Sequence, residues 1–209
     1  MGLEIMFTIE PQRHGESKPS KATLELTEVA ERTESKPTGS GDGPLAAAAF
    51  AKIEEQIERT IHLIALIPDV RWTPPIPGAW SFAELLGHFL DCLAGVCAVL
   101  YAAHPGELAH FAELQTLPVN FACGTDEAHE RIAIYRVRIA EGFAVLRDSD
   151  LGRKLPTVFV PDGESVLTLL LGNLEHLINH KHQLFMHLKL AGARVGTPDL
   201  YRLRSSLLA

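Results

Sequence analysis

Apolar residues return at helical spacing through most of the chain. Ile53, Ile57, Ile61, Ile64 and Leu66 build one face, while Glu54, Glu55, Glu58 and Arg59 build a wet one. This period predicts a first helix from about Pro44 to Ile67, with Pro44 suited to the first helical position and Pro68 stopping it. Arg71-Trp72-Thr73-Pro74-Pro75-Ile76-Pro77-Gly78 is an extended, proline-stiffened connection. Ser81-Phe82-Ala83-Glu84 matches a capping box. It opens a second helix through Leu85, Leu86, Phe89, Leu93, Val96 and Leu100 that ends before His104-Pro105-Gly106. Residues 105–123 read as a loop with a short helix near Leu108–Leu114. Thr125 or Asp126 is expected to cap a third helix carrying Ile132, Ile139, Phe143 and Leu146, which Asp148-Ser149-Asp150 ends. Residues 155–163 are extended. A fourth helix runs from about Ser165 to Ala191, with Gly192 just beyond its end, and the segment around Thr197–Tyr201 is expected to pack back on the others. No internal repeat is present. Four long amphipathic helices predict an all-α fold, a four-helix bundle over residues 44–209.

Residues 1–43 differ in character. Leu3, Ile5, Phe7 and Ile9 alternate with mostly polar neighbours, the period of a half-buried strand. Lys36-Pro37-Thr38-Gly39-Ser40-Gly41-Asp42-Gly43 has the composition of a linker. The segment reads as an N-terminal extension, a strand or hairpin laid on the domain or on a partner.

The fourth helix carries an unusual polar face. With His176 at zero on a wheel of about 100° per residue, His180 falls near 40°, Gln183 near 340°, His187 near 20° and Asn173 near 60°. This stripe holds no Lys, Arg, Asp or Glu, the residues that a solvated face collects. Leu167, Leu170, Leu174, Leu177, Ile178, Leu184, Phe185 and Leu188 cover a broad apolar sector, and Glu175, His182 and Lys189 form a stripe suited to solvent. The polar stripe looks like the wall of an internal site. His176 and His180, four residues apart, project from adjacent turns and can reach one ion at about 2.0–2.1 Å. The alternative is a pair of hydrogen-bonded or surface histidines.

His88 lies inside the apolar second helix, where a lone histidine is either a satisfied core residue or a ligand facing the fourth helix. Cys92 shares its face and reads first as a small core residue, second as a further ligand. Glu84 has its work in the capping box and ranks only second as a site residue. His187 is about 10 Å along the axis from His180, too far to share an ion. With Asn173 and Gln183 it is a candidate for contact with the ligands or the substrate.

Composition narrows the classes. A net charge of −7 and a pI near 5.8 lack the footprint of a nucleic-acid binder. No run is read as approaching the ~18 apolar residues needed to cross a bilayer. The start, Met1–Met6, has no basic region followed by an apolar one, so no signal peptide is expected. Cys92, Cys97 and Cys123 lack paired spacing, which favours reduced thiols and a cytoplasmic location.

Two stretches resemble a known family. Trp80-Ser81-Phe82-Ala83-Glu84-Leu85-Leu86-Gly87-His88 resembles the W-S-x-x-E-x-x-x-H start of the second helix in DinB-like (YfiT-like) metalloenzymes. His176-Leu177-Ile178-Asn179-His180-Lys181-His182-Gln183-Leu184, followed by Leu188-Lys189-Leu190-Ala191-Gly192, resembles their H-x-x-x-H-R-G-Q-L…L-R-x-x-G helix. Lys181 stands where that pattern has Arg, a mild change, and the bulky His182 where it has Gly. The resemblance implies a four-helix bundle, commonly homodimeric. It also implies a divalent metal, Zn, Ni, Fe or Mn, held by His88, His176 and His180. The activity it suggests is transfer of a low-molecular-weight thiol, such as bacillithiol or mycothiol, to a small electrophile. Metal-dependent hydrolysis at the same site and a non-catalytic metal-binding or interaction bundle are the alternatives. A small-molecule substrate is expected, with neither nucleic acid nor membrane as partner.

Overall fold

A computed structural model of the chain describes residues 43–68, 77–118, 122–157, 160 and 162–201. Residues 1–42, where the extension was expected, and most of the proline-rich connection lie outside the described residues. The first helix, α1, spans Pro44–Ile64 and buries Phe50, Ile53, Ile57, Leu63 and Ile64. Gly43 offers no side chain to its free amides. The carboxylate of Asp148 serves instead, accepting from Leu45 N at 3.2 Å and Ala46 N at 2.8 Å. A negative charge there also faces the positive end of the helix dipole.

The second helix, α2, spans Phe82–Ala103 with the expected capping box at Ser81 and Glu84. By length and composition α2 is apolar enough to cross a bilayer, contrary to the sequence reading. Its apolar residues are spent inside the bundle: Leu85, Leu86, Phe89, Leu90, Leu93, Val96 and Leu100 are all buried. No membrane span is implied. The expected short helix is a 3-10 helix at Ala109–Thr116, set on α2 through buried Phe111 and Leu114. The third helix, α3, spans Thr125–Val145; its cap is Gly124 rather than Thr125 or Asp126, and Asp126 and Glu127 sit in its first turn. Two short strands, β1 (Lys154–Leu155) and β2 (Glu164–Ser165), pair antiparallel at the two ends of the stretch expected to be extended, residues 155–163. The fourth helix, α4, spans Val166–Leu190 and is capped by Ser165, whose hydroxyl accepts from Thr168 N at 3.0 Å. Gly192 follows with φ of 82°, the left-handed turn predicted for it. A last turn of helix, α5, spans Thr197–Tyr201.

Helices α1 and α2 lie at opposite corners, each flanked by α3 and α4. Phe50 meets Phe143 at 5.3 Å and Glu54 meets Arg136, which sets α1 antiparallel to α3. Cys123 N donates to Ala83 O at one end and Leu100 abuts Gly142 at the other, so α2 and α3 run parallel. A Cβ at Gly142 would come within 2.6 Å of Leu100, which is why glycine stands in this helix. The parallel pairing makes the chain return along the bundle between α2 and α3, which accounts for the long connection bearing the 3-10 helix. Trp80 meets His187 and His88 meets His176, so α2 and α4 are antiparallel. The facing pair α2 and α4 carries the candidate chemistry.

One feature of α4 differs from expectation. Ile178, placed in the apolar sector, is exposed, as are Leu171 and Met186. Lys181 is buried: its Nζ donates to Gln56 Oε1 on α1 at 2.8 Å and lies 5.7 Å from the Tyr201 ring of α5. Arg59 approaches the same ring, and His62 meets Asp199 at 3.1 Å. The lysine in place of the usual arginine therefore sits under the packed-back C-terminal turn.

Candidate metal centre

Polar side chains gather where α2 faces α4. His88 Nε2 lies 3.1 Å from His176 Nε2. The ring centre of His180 is 4.5 Å from that of His88 and 4.6 Å from that of His176. Cys92 joins them: one ligand atom from each of His88, Cys92, His176 and His180 lies within 4.8 Å of every other. Among the described residues this is the one group of its kind, and it could hold a metal ion. Two nitrogens about 2.0–2.1 Å from one ion stand about 3.3–3.4 Å apart at a tetrahedral angle, close to the separation of the His88 and His176 nitrogens.

Neighbouring groups aim the rings. His180 Nδ1 is 3.0 Å from Gln183 Oε1, which makes Nδ1 the donor and leaves Nε2 free for the cluster. Gln183, a stripe residue, thus acts on a candidate ligand. On the far side of His88, Nδ1 is 3.7 Å from Asp91 Oδ2. A carboxylate behind an imidazole is the usual orienting partner of a metal-binding histidine. Sequence reading missed Asp91; the signal was present, an acid one turn after a histidine in an otherwise apolar helix.

Burial keeps the two α4 rings neutral at neutral pH. Burial, then the neighbouring His88, pushes His180 down to about 4. Burial and His88 also lower His176, with Asp91 opposing. Neutral imidazoles are the form that binds a cation. The Cys92 thiol is pushed up by burial and by Asp91, and its Sγ donates to His88 O at 3.3 Å.

The remaining candidates fall around this group. Asn173 is buried one turn before His176; its Nδ2 donates to Leu169 O at 2.9 Å, and its Oδ1 has no partner. An orphaned buried acceptor on the ligand-bearing face suits a site that receives a further donor. Glu84 stays in the capping box, its Oε2 accepting from Ser81 N and Oγ at 2.7 Å. His187 stands apart from the cluster: Nε2 is 3.0 Å from Trp80 O and Nδ1 2.9 Å from Gln183 O. It ties the end of α4 to Trp80. That tie has a purpose, because the Trp80 ring stacks on His180 at 5.7 Å and leans on His88 at 4.8 Å while staying 38 % exposed. Sequence reading used Trp80 only as part of a motif; its ring roofs the cluster.

The sequence pattern of the DinB superfamily matches residues 52–184, from within α1 to just past the paired histidines of α4. A search of curated proteins found no match.

Proposed function

The chain belongs to the DinB superfamily, and from that premise we propose that it is a divalent-metal-dependent enzyme. Its metal is held by His88, His176 and His180, and it transfers a low-molecular-weight thiol to a small electrophile. The observation that carries this reading is the gathering of three imidazoles from two antiparallel helices around one point, with the nearest nitrogens 3.1 Å apart. A bound divalent ion would supply the charge that keeps a thiol, with its ordinary pKa of about 8.5, as thiolate at neutral pH. The protein's own groups do the rest. Gln183 fixes the His180 ring by a hydrogen bond, and the Asp91 carboxylate faces the Nδ1 edge of His88 across 3.7 Å. The Trp80 ring shields the His180 side of the cluster and offers its exposed part as an apolar wall for a small organic electrophile. Asn173 Oδ1 is free to accept a hydrogen bond from a bound group.

The test is elemental analysis of protein purified without added metal, followed by a screen of bacillithiol, mycothiol and glutathione against small electrophiles. Metal-dependent consumption of thiol and electrophile together is expected. Ester hydrolysis without thiol consumption would reassign the site to a hydrolase. Stoichiometric metal with no turnover of either kind would make the bundle a metal-binding protein without chemistry.

A further inference from the structure

We propose that Cys92 is the fourth protein ligand of the metal, so that the resting site is one sulfur and three imidazoles. The proposal rests on the metal site put forward above, and not on the thiol-transfer reaction.

The geometry points to it. His176 and His180 form one i, i+4 pair on α4; His88 and Cys92 form another on α2. An i, i+4 pair projects two side chains from adjacent turns of one face. Two such pairs on facing helices offer four donors to one point, the number that a tetrahedral ion takes. Here all four donor atoms already lie within 4.8 Å of one another. The present partner of Cys92 Sγ is the carbonyl of His88, at 3.3 Å. A thiol is a weak donor, so this bond holds the sulfur loosely. Rotation about the Cα–Cβ bond would turn the sulfur from that carbonyl to a bound ion, its S–H proton passing to solvent.

A cysteine needed only to fill space could stand on any buried face of α2, as Cys97 does near Tyr135. Cys92 stands one turn from His88, on the same side. The consequence is selectivity: a thiolate ligand favours Zn or Co over the hard ions Mn and Mg. A cosubstrate thiol, were one to bind, would replace Cys92 and pass its S–H proton to the Cys92 sulfur, leaving the charge around the ion unchanged.

The experiment uses the full chain, stripped with chelator and titrated with Co(II). Wild type should bind one equivalent and show a thiolate-to-cobalt charge-transfer band in the near ultraviolet. Cys92→Ser should keep one equivalent and lose the band, while Cys97→Ser and Cys123→Ser keep both. A wild-type protein that binds cobalt without the band overturns the proposal and leaves the three-histidine site standing, as does a band that survives in Cys92→Ser. No stoichiometric cobalt in wild type overturns the site itself. X-ray absorption of Zn-loaded wild type needs no variant: a sulfur shell at about 2.3 Å supports the proposal, and a shell of nitrogen and oxygen alone overturns it.

Discussion

Asp91 is the residue whose work is most specific. Its carboxylate faces the Nδ1 edge of His88, whose Nε2 faces His176. Asp91→Asn keeps the shape and removes the charge that favours Nδ1–H. Loss of such an orienting partner typically costs about 10–100-fold in metal affinity, and isothermal titration with zinc should show a loss in that range with one site retained. Unchanged affinity would mean that α2 packing alone holds the ring. Lys181 makes a prediction of a different kind. Burial, then Arg59, lowers its amine to about 8 from an ordinary value of 10.5. Between those values the unfolded chain holds the proton that the folded chain has given up, so this group makes stability rise with pH from about 8 to 10.5. Below about pH 8 both states are protonated, and the burden on the fold is at its fullest. Urea unfolding of wild type and Lys181→Met across that window should show the wild type gaining on the variant; parallel curves would put the amine in water.

Among the elements, α1 depends on a cap it does not carry. Its N-terminal amides at Leu45 and Ala46 are met by Asp148, from beyond the end of α3. Asp148→Ala should cost about 1 kcal/mol, the usual worth of a helix cap, measured by thermal or urea unfolding; a cost near zero would mean that water serves as well. The sequence pattern put Pro44 in the first turn correctly but could not say what faced it, because the partner lies about a hundred residues away. The helices themselves were legible, since periodic burial and the Ser81–Glu84 capping box are local. Their directions were not. That α2 and α3 run parallel depends on where the connection between them travels, and no spacing rule records that. Ile178 shows the same limit: the wheel places it in the apolar sector, and only packing decides that it faces outward.

For the whole molecule, the His176–His180 pair was legible because both residues lie on one helix. The approach of His88 to the pair followed from the bundle prediction and the family resemblance, Cys92 was read as a ligand only after a core residue, and the place of Asp91 required the antiparallel packing of α2 on α4. Exposed Leu171, Ile178 and Met186 lie on the outer face of α4 near His182 and Lys189, and this face is proposed to meet a second copy. Light scattering at micromolar concentration should then give a dimer mass for wild type and a monomer mass for Ile178→Glu; a wild-type monomer would end that proposal. Folding itself should not need the metal. The core runs through all four long helices, from Phe50 and Ile57 through Leu90 and Leu93 to Phe143 and Leu188, unlike a small domain whose folding energy is its ion. The most direct measurement is therefore metal stoichiometry of wild type and His180→Ala, with circular dichroism on the same samples. One divalent ion per wild-type chain, and weakened binding in a variant that keeps its helical spectrum but melts at a lower temperature, is the expected result. A wild-type protein that takes up no ion, or a His180→Ala protein that binds one as tightly as before, would contradict the site.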